Sequence, residues 1–249
     1  MEKELLWGYI DRTGQIAIPP RFHDAWDFHE GLAAVKVEYQ RGYIDRCGKY
    51  VIEPRFSACG DFYSGLAPVM EDDKWGFINH DGLYVIEPIF EKAGEFHDGL
   101  AFAKKDGKYG YLDPSGCWVI PPAYEAAENF DNGEARVYSE GRWFYIDRNG
   151  NMIPGRKEEQ EISPEVWSEG VSVRVEGAAC GYIDEKGEFV IPPKFTRAEP
   201  FHDGLARVSA GRNGKWGFIG RDGKYAFREK FIDAGDFFED LARVLVKAI

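Results

Sequence analysis

Three kinds of side chain recur in fixed company along this chain and could do chemistry. His29, His97 and His202 each follow a phenylalanine and precede an acid-glycine pair, as Phe-His-(Glu/Asp)-Gly. Histidine titrates near neutrality and ligates metals, so its recurrence raises proton transfer or metal binding. Other units hold Ser64, Asp131, Ser168 and Glu239 at that place, and side chains spread over a long array cannot share one ion. The position therefore reads as a polar turn residue; His23 and His80 are isolated. The second group is aspartate. Asp11, Asp45, Asp113, Asp147 and Asp184 each stand three residues before a glycine. A row of carboxylates could hold cations, but Asn79 and Gly220 take the place in two units. An aspartate opening a turn hydrogen-bonds its own backbone two residues on, and the glycine supplies positive φ, so this is turn chemistry.

Arginine is the third group. Arg136, Arg207 and Arg243 occupy one point of the repeat at which other units carry Ala34, Pro68 and Phe102. Variation at one point of a uniform frame is how a binding site is grafted onto a fold, and guanidinium groups could gather an acidic ligand through bidentate hydrogen bonds. The plainer reading is that they pair with neighbouring carboxylates. Trp7, Trp75, Trp143 and Trp216 could stack on sugars or peptides, yet they recur with the frame, which points to packing. No glycine-rich phosphate loop opens a helix, and no Ser, Cys or Lys stands in a nucleophile motif. Acidic runs such as Glu71-Asp72-Asp73 and Glu158-Glu159 read as solvated surface. The expectation is a protein that is not an enzyme, with no catalytic residues, no metal and no cofactor.

The elements that would position these groups follow from spacing. Glycines fall on a 17-residue grid at Gly31, Gly48, Gly65, Gly82, Gly99, Gly116, Gly133 and Gly150, which resumes at Gly170, Gly187 and Gly204. A second marker recurs every two steps: Trp7-Gly8-Tyr9-Ile10, Gly42-Tyr43-Ile44, Trp75-Gly76-Phe77-Ile78, Tyr109-Gly110-Tyr111-Leu112, Trp143-Phe144-Tyr145-Ile146, Gly181-Tyr182-Ile183 and Trp216-Gly217-Phe218-Ile219. Seven copies of one unit of about 34–37 residues thus fill residues 1–249, read as a single domain.

Within a unit, four short apolar runs lie between turns and no 3.6-residue period is visible, which predicts strands. They are a (Ala25 to Phe28), b (Leu32 to Val37), c (Gly42 to Ile44) and d (Lys49 to Ile52). Strand c is apolar on both faces, so neighbouring copies must cover it on both sides. The glycine beside the tryptophan marks a close approach, and Phe144 in its place predicts different packing in unit five. Small residues, Ala25, Cys59, Ala93, Ala127, Ala198 and Ala234, stand three positions before an aromatic of strand a; Pro164 is the exception. Pro20, Pro54, Pro88, Pro122 and Pro193 should end strand d at a sheet edge. A unit this short leaves outer strands of only three or four residues.

The chain opens on a strand c and closes, near Leu241 to Val246, on a strand b. Neither end shows a polar capping repeat, which an open stack needs. The two ends therefore complete one sheet, which makes the fold class all-β, a closed seven-bladed β-propeller with the termini sharing one blade. An open twisted β-solenoid of hairpins is the alternative.

Composition excludes several function classes. Apolar residues make up 44% and charged residues 30%, the balance of a soluble globular protein, and the formal charge is −12. No lysine/arginine block is present, so nucleic acid is not an expected partner. No apolar run is long enough for a signal peptide or a membrane span. Cys47, Cys59, Cys117 and Cys180 fall at four different places in the unit, against a disulfide framework and for free thiols in the cytoplasm.

Lys74-Trp75-Gly76-Phe77-Ile78-Asn79, Val85-Ile86-Glu87-Pro88, Glu95-Phe96 and Gly99-Leu100-Ala101 together resemble the bacterial WG-repeat (KWG repeat) family. The resemblance spans essentially all seven units. It departs at Arg41 and Cys180, which replace tryptophan, and at Phe144 and Glu134 in unit five. It implies a bacterial source and a repeat array, and brings no catalytic residues. The expected function is an interaction scaffold, with an unknown protein or peptide as partner and Arg136, Arg207 and Arg243 as candidate binding residues. A small-molecule or carbohydrate binder is the alternative, with a hydrolase behind it. The irregular stretch 151–161, which interrupts the grid, could carry function as an insertion.

Overall fold

The computed structural model describes residues 4–154, 167–211 and 214–247; within them every regular element is a β-strand. The irregular stretch beyond Pro154, Pro164 and the turn residues Arg212 and Asn213 lie outside the described residues. The chain forms two compact units, one of Met1–Phe28, Arg46–Gly48 and Glu161–Ile249, the other of His29–Asp45 and Lys49–Gln160.

Among the described residues the strands form seven antiparallel sheets, most of them four-stranded in the order a-b-c-d. Strand c runs over Leu5–Ile10, Gln40–Asp45, Lys74–Ile78, Lys108–Leu112, Arg142–Asp147, Ala179–Ile183 and Trp216–Gly220. In the first compact unit, Ile16–Phe22 and Leu5–Ile10 supply strands d and c of a sheet whose b and a are Ala242–Lys247 and Asp233–Ala234. Trp7 lies opposite Leu245 and Gly8 opposite Val244. This shared terminal sheet is the strand organisation of a seven-bladed β-propeller, and an open solenoid lacks it.

Strand c is the core, as its two apolar faces predict. Tyr9, Ile10, Tyr43, Ile44, Phe77, Ile78, Tyr111, Leu112, Tyr182 and Ile183 are all 0% exposed. In six of the seven copies the inward aromatic of strand c meets a phenylalanine 19 residues downstream, edge-on or tilted. In the first compact unit the pairs are Tyr9–Phe28, Tyr182–Phe201 and Phe218–Phe237, with centroids 5.0, 4.9 and 5.1 Å apart. In the second they are Tyr43–Phe62, Phe77–Phe96 and Tyr111–Phe130, at 4.9, 5.0 and 4.7 Å. Where the ring is tyrosine, its hydroxyl donates to a main-chain carbonyl 17 residues on. Tyr9 reaches Trp26, Tyr43 Gly60, Tyr111 Glu128 and Tyr182 Glu199, each at 2.7 Å. A ring pair contributes about 0.5–1.5 kcal/mol beyond area burial and a hydrogen bond about the same, so the four tyrosine junctions are fixed twice.

Strands a and d correct the sequence reading. Strand a spans six residues only in Asp24–His29; elsewhere it is a two-residue pairing such as Ala58–Cys59. Strand d does not end at its proline but continues through it for seven residues, as in Tyr50–Phe56 and Tyr84–Phe90. The register explains how. Arg41 faces Phe56 and Tyr43 faces Ile52, so the span of two positions on strand c meets four on strand d. The surplus is a bulge that lifts the proline, which has no N–H to donate, out of the ladder. It presses on the glycine of the Trp-Gly pair. A Cβ on Gly76 would lie 2.6 Å from the Ile86 carbonyl oxygen and 2.7 Å from the Pro88 nitrogen. Unit five has Phe144 in that place, its ring 6.2 Å from Tyr124. A side chain there fills the space the bulge needs. Among the described residues its sheet has three strands, with only Met152 bridging Ile146 where strand d would lie.

The aspartate turns work as predicted. Asp11 Oδ1 accepts from Thr13 N at 2.9 Å, Gln15 N at 3.1 Å and Thr13 Oγ1 at 2.6 Å. Asp113 repeats the set with Ser115 and Cys117, and Asp147 with Asn149 and Asn151. Asn79 Oδ1 accepts from Asp81 N and Leu83 N. The side-chain donors Thr13, Ser115 and Asn151, followed by turn N–H groups, hold Asp11, Asp113 and Asp147 below the usual carboxylate range.

Two outcomes follow. Gly76→Ala forces a main-chain shift and should cost about 1–3 kcal/mol in urea unfolding; an unchanged midpoint would show that the bulge gives way freely. The depressed carboxylates bind protons more weakly folded than unfolded. Their stabilisation is therefore complete above the ordinary carboxylate pKa of about 3.9 and fades as pH falls through the lowered folded values. Thermal melts between pH 6 and pH 2 should show the midpoint falling below about pH 4, less steeply in Asp113→Asn.

Candidate functional site

The three arginines sit on strand b directly opposite a strand-c aromatic: Arg136 faces Tyr145, Arg207 faces Phe218 and Arg243 faces Tyr9. Diagonal partners share that face, so each guanidinium lies over the tryptophan two residues earlier. Arg136 is 4.6 Å from the Trp143 ring, Arg207 5.2 Å from Trp216 and Arg243 5.4 Å from Trp7, close enough for cation–π attraction. The forks are engaged with protein groups. Arg207 Nε meets Asp236 Oδ1 at 2.8 Å and Nη1 donates to Ala234 O at 2.6 Å. Arg243 repeats this with Asp27 at 3.0 Å and Ala25 O at 2.7 Å. Arg136 Nη1 stands 3.8 Å from Glu128. Arg207 and Arg243 belong to the first compact unit and Arg136 to the second. Geometry thus places these arginines in the plainer role, tying a sheet to carboxylates on strand a. The tryptophans fit the same frame: Trp216 is 5% exposed, and Trp7, Trp75 and Trp143 are half-buried. Gly8 meets Ile18 O as Gly76 meets Ile86 O, and Gly217 is buried opposite Val208.

A different cluster stands out in the second compact unit, at the a–b turns of its first three copies. Left-handed residues mark the turn position: Glu30, Ser64 and Asp98 have φ of 51°, 56° and 50°. The residue before each is therefore the equivalent one, which makes Tyr63, not Ser64, the counterpart of His29 and His97. By the same rule Phe238, not Glu239, matches His202. The rings form a ladder. His29 and Tyr63 lie 5.0 Å apart, and Tyr63 and His97 4.6 Å, both tilted. Two carboxylates from the strand-a position just before the phenylalanine flank them. Asp61 Oδ2 is 3.6 Å from His29 Nε2, and Glu95 Oε2 is 3.5 Å from His97 Nε2. Glu95 Oε1 also accepts from Asp61 N at 3.0 Å, which fixes the two acids side by side. All four ionisable groups are 19–31% exposed.

Local sequence explains why this cluster is acidic. In the first compact unit the equivalent acids, Asp27 and Asp236, are met by Arg243 and Arg207 from strand b. At the corresponding strand-b positions before Asp61 and Glu95 stand Ala34 and Pro68. The ladder combines aromatic faces with half-buried carboxylates, an arrangement that attracts cationic groups through both ring quadrupoles and charge. Among the described residues no group of three or more His, Cys, Asp or Glu converges to hold a metal. Sequence reading missed Tyr63 by one position; the signal was the phenylalanine one residue before it and the glycine two residues after it, the same spacing as at His29 and His97.

Comparison with known proteins gives the following. No curated protein matches the chain. Among solved structures it is similar to virginiamycin B lyase from Staphylococcus aureus, at 14% identity over 99% of this chain and 100% of that one, with a TM-score of 0.41. It is also similar to a eukaryotic initiation factor, at 11% identity over 90% and 73% and a TM-score of 0.41. A protein of unknown function from Bacteroides caccae aligns at 14% identity over 91% and 93%, with a TM-score of 0.32. The WG containing repeat matches residues 7–39, 42–75, 75–109, 109–143, 181–216 and 216–247. With most of its length accounted for in this way, the chain belongs to the WG-repeat family.

Proposed function

We propose that the protein is a non-enzymatic binding scaffold for a protein or peptide, and that it takes a basic segment on the His29–Tyr63–His97 ladder. The observation that carries this reading is the pair Asp61 and Glu95, held side by side against the tilted rings where strand b supplies Ala34 and Pro68 instead of arginine. The formal charge of −12 adds a long-range field that draws in cationic partners. A lysine or arginine side chain laid over Tyr63 would reach both carboxylates.

The test uses a peptide of alternating lysine and alanine, titrated calorimetrically at low and high salt. The double variant Asp61→Asn/Glu95→Gln keeps side-chain shape and the acceptor that holds Asp61 N. It should bind roughly tenfold more weakly, with a flatter salt dependence, and Tyr63→Ala should weaken binding alongside it. Equal affinity in the wild type and the double variant, with melting temperatures preserved, would overturn the assignment of the site.

A further inference from the structure

We infer that the sheet shared by the two ends of the chain carries a cleft for a small molecule made of an aromatic body and one anionic group. The inference concerns the first compact unit alone and is independent of the peptide reading.

The cleft arises from one break in the repeat. The first residue of strand d is aromatic in five units, as Tyr50, Tyr84, Trp118, Phe189 and Tyr225, but is Ile16 here. That ring normally meets the phenylalanine closing the preceding strand d. Trp118 lies 5.8 Å from Phe90, and Tyr225 lies 6.3 Å from Phe195, both edge-to-face. It also spans its own sheet, since Tyr84 Oη donates to Glu71 Oε2 at 2.7 Å. In the shared sheet the same two positions hold Ile16 and Val246. The branched aliphatic chain is shorter than a ring, and the polar link is gone.

What remains is a cleft of about 730 Å³ lined by Ile16, Pro19, Pro20, Phe231 and Val246, with Lys230 and Lys247 at its margin. Its size is that of small-molecule sites, which are apolar with a few polar anchors. Phe231 is positioned to receive a ring edge-to-face, as Phe90 receives Trp118. Lys230 Nζ donates to Gly14 O at 3.0 Å, and an ammonium group has three donors. Glu4, next to the residue facing Lys247, is paired with His23 at 3.5 Å. Two ammonium groups beside an apolar floor, on a chain of net charge −12, select an anionic head and an aromatic body.

The test measures binding of 2-naphthoate and of its neutral methyl ester to the full chain by calorimetry. Naphthoate should bind one to one and the ester roughly tenfold more weakly. Lys247→Gln should weaken naphthoate to a similar degree and leave the ester unchanged. Ile16→Tyr restores the ring found in the other units and should abolish binding of both, with the melting temperature held or raised. Ile16→Phe, which needs no partner for a hydroxyl, serves the same purpose should the tyrosine variant fold poorly. Undiminished binding in a folded ring-filled variant, or equal affinity for acid and ester, would overturn the inference.

Discussion

The structure depends on one contact repeated along the chain: a strand-c aromatic set edge-on against a strand-a phenylalanine 19 residues downstream. The copies that carry the pair are thereby clamped, and the tyrosine hydroxyls fix the depth of insertion by reaching main-chain carbonyls 17 residues on. Much of the remaining pattern answers to this geometry. Strand a must come close, so a small residue precedes its aromatic by three positions, and Ala25 and Ala234 are buried at 0% and 2%. Strand d must return under strand c, so a proline bulge and a glycine meet at the crossing. Contacts from strand d to a following turn add to these junctions: Ile86 packs on Gly116, and Arg55 donates to Gly82 O at 2.6 Å. Phe227 and Lys230 make the same two contacts to Gly14. The join between the last copy and the first is thus built with the parts used at other junctions.

Against that frame, departures carry the information. The acid before the phenylalanine of strand a has two fates. Asp27 and Asp236 are covered by Arg243 and Arg207, each fork also reaching a carbonyl, so charge serves cohesion there. Asp61 and Glu95 face a row of histidine and tyrosine rings, with Ala34 and Pro68 at the arginine positions. A difference at two strand-b positions, Ala34 and Pro68, turns a structural ion pair into a surface suited to cations. The replacement of an aromatic by Ile16 works likewise, converting a packed junction into an open cleft.

The frame was legible in the sequence because its determinants are strictly periodic. Glycine spacing, the doubly apolar strand c and the missing caps led to seven sheets and a shared terminal one. The sites were not legible for two physical reasons. The ladder depends on how successive copies pack: His29, Tyr63 and His97 stand at one point of the 34-residue repeat, but only the fold shows that their rings meet. The arginines stand at a variable point of the repeat open to a binding or a structural role, and only the fold shows that Arg207 and Arg243 reach Asp236 and Asp27. Strand d outran its proline because a bulge removes the need for the missing N–H, and periodicity alone does not show a bulge.

The shared sheet also bears on how the protein is made. Ile10 pairs with Ala242, 232 positions later, so Leu5–Ile10, paired on one side with Ile16–Phe22, keeps its other edge open until nearly all of the intervening residues have left the ribosome. At about 5–20 residues per second that wait is roughly 12–46 seconds. Throughout it, the nascent chain displays the edge of Leu5–Ile10, whose apolar Trp-Gly-Tyr-Ile run invites pairing with other chains. Fidelity of biosynthesis, more than equilibrium stability, is therefore the pressure this topology places on the first few residues, and chaperone dependence should concentrate there.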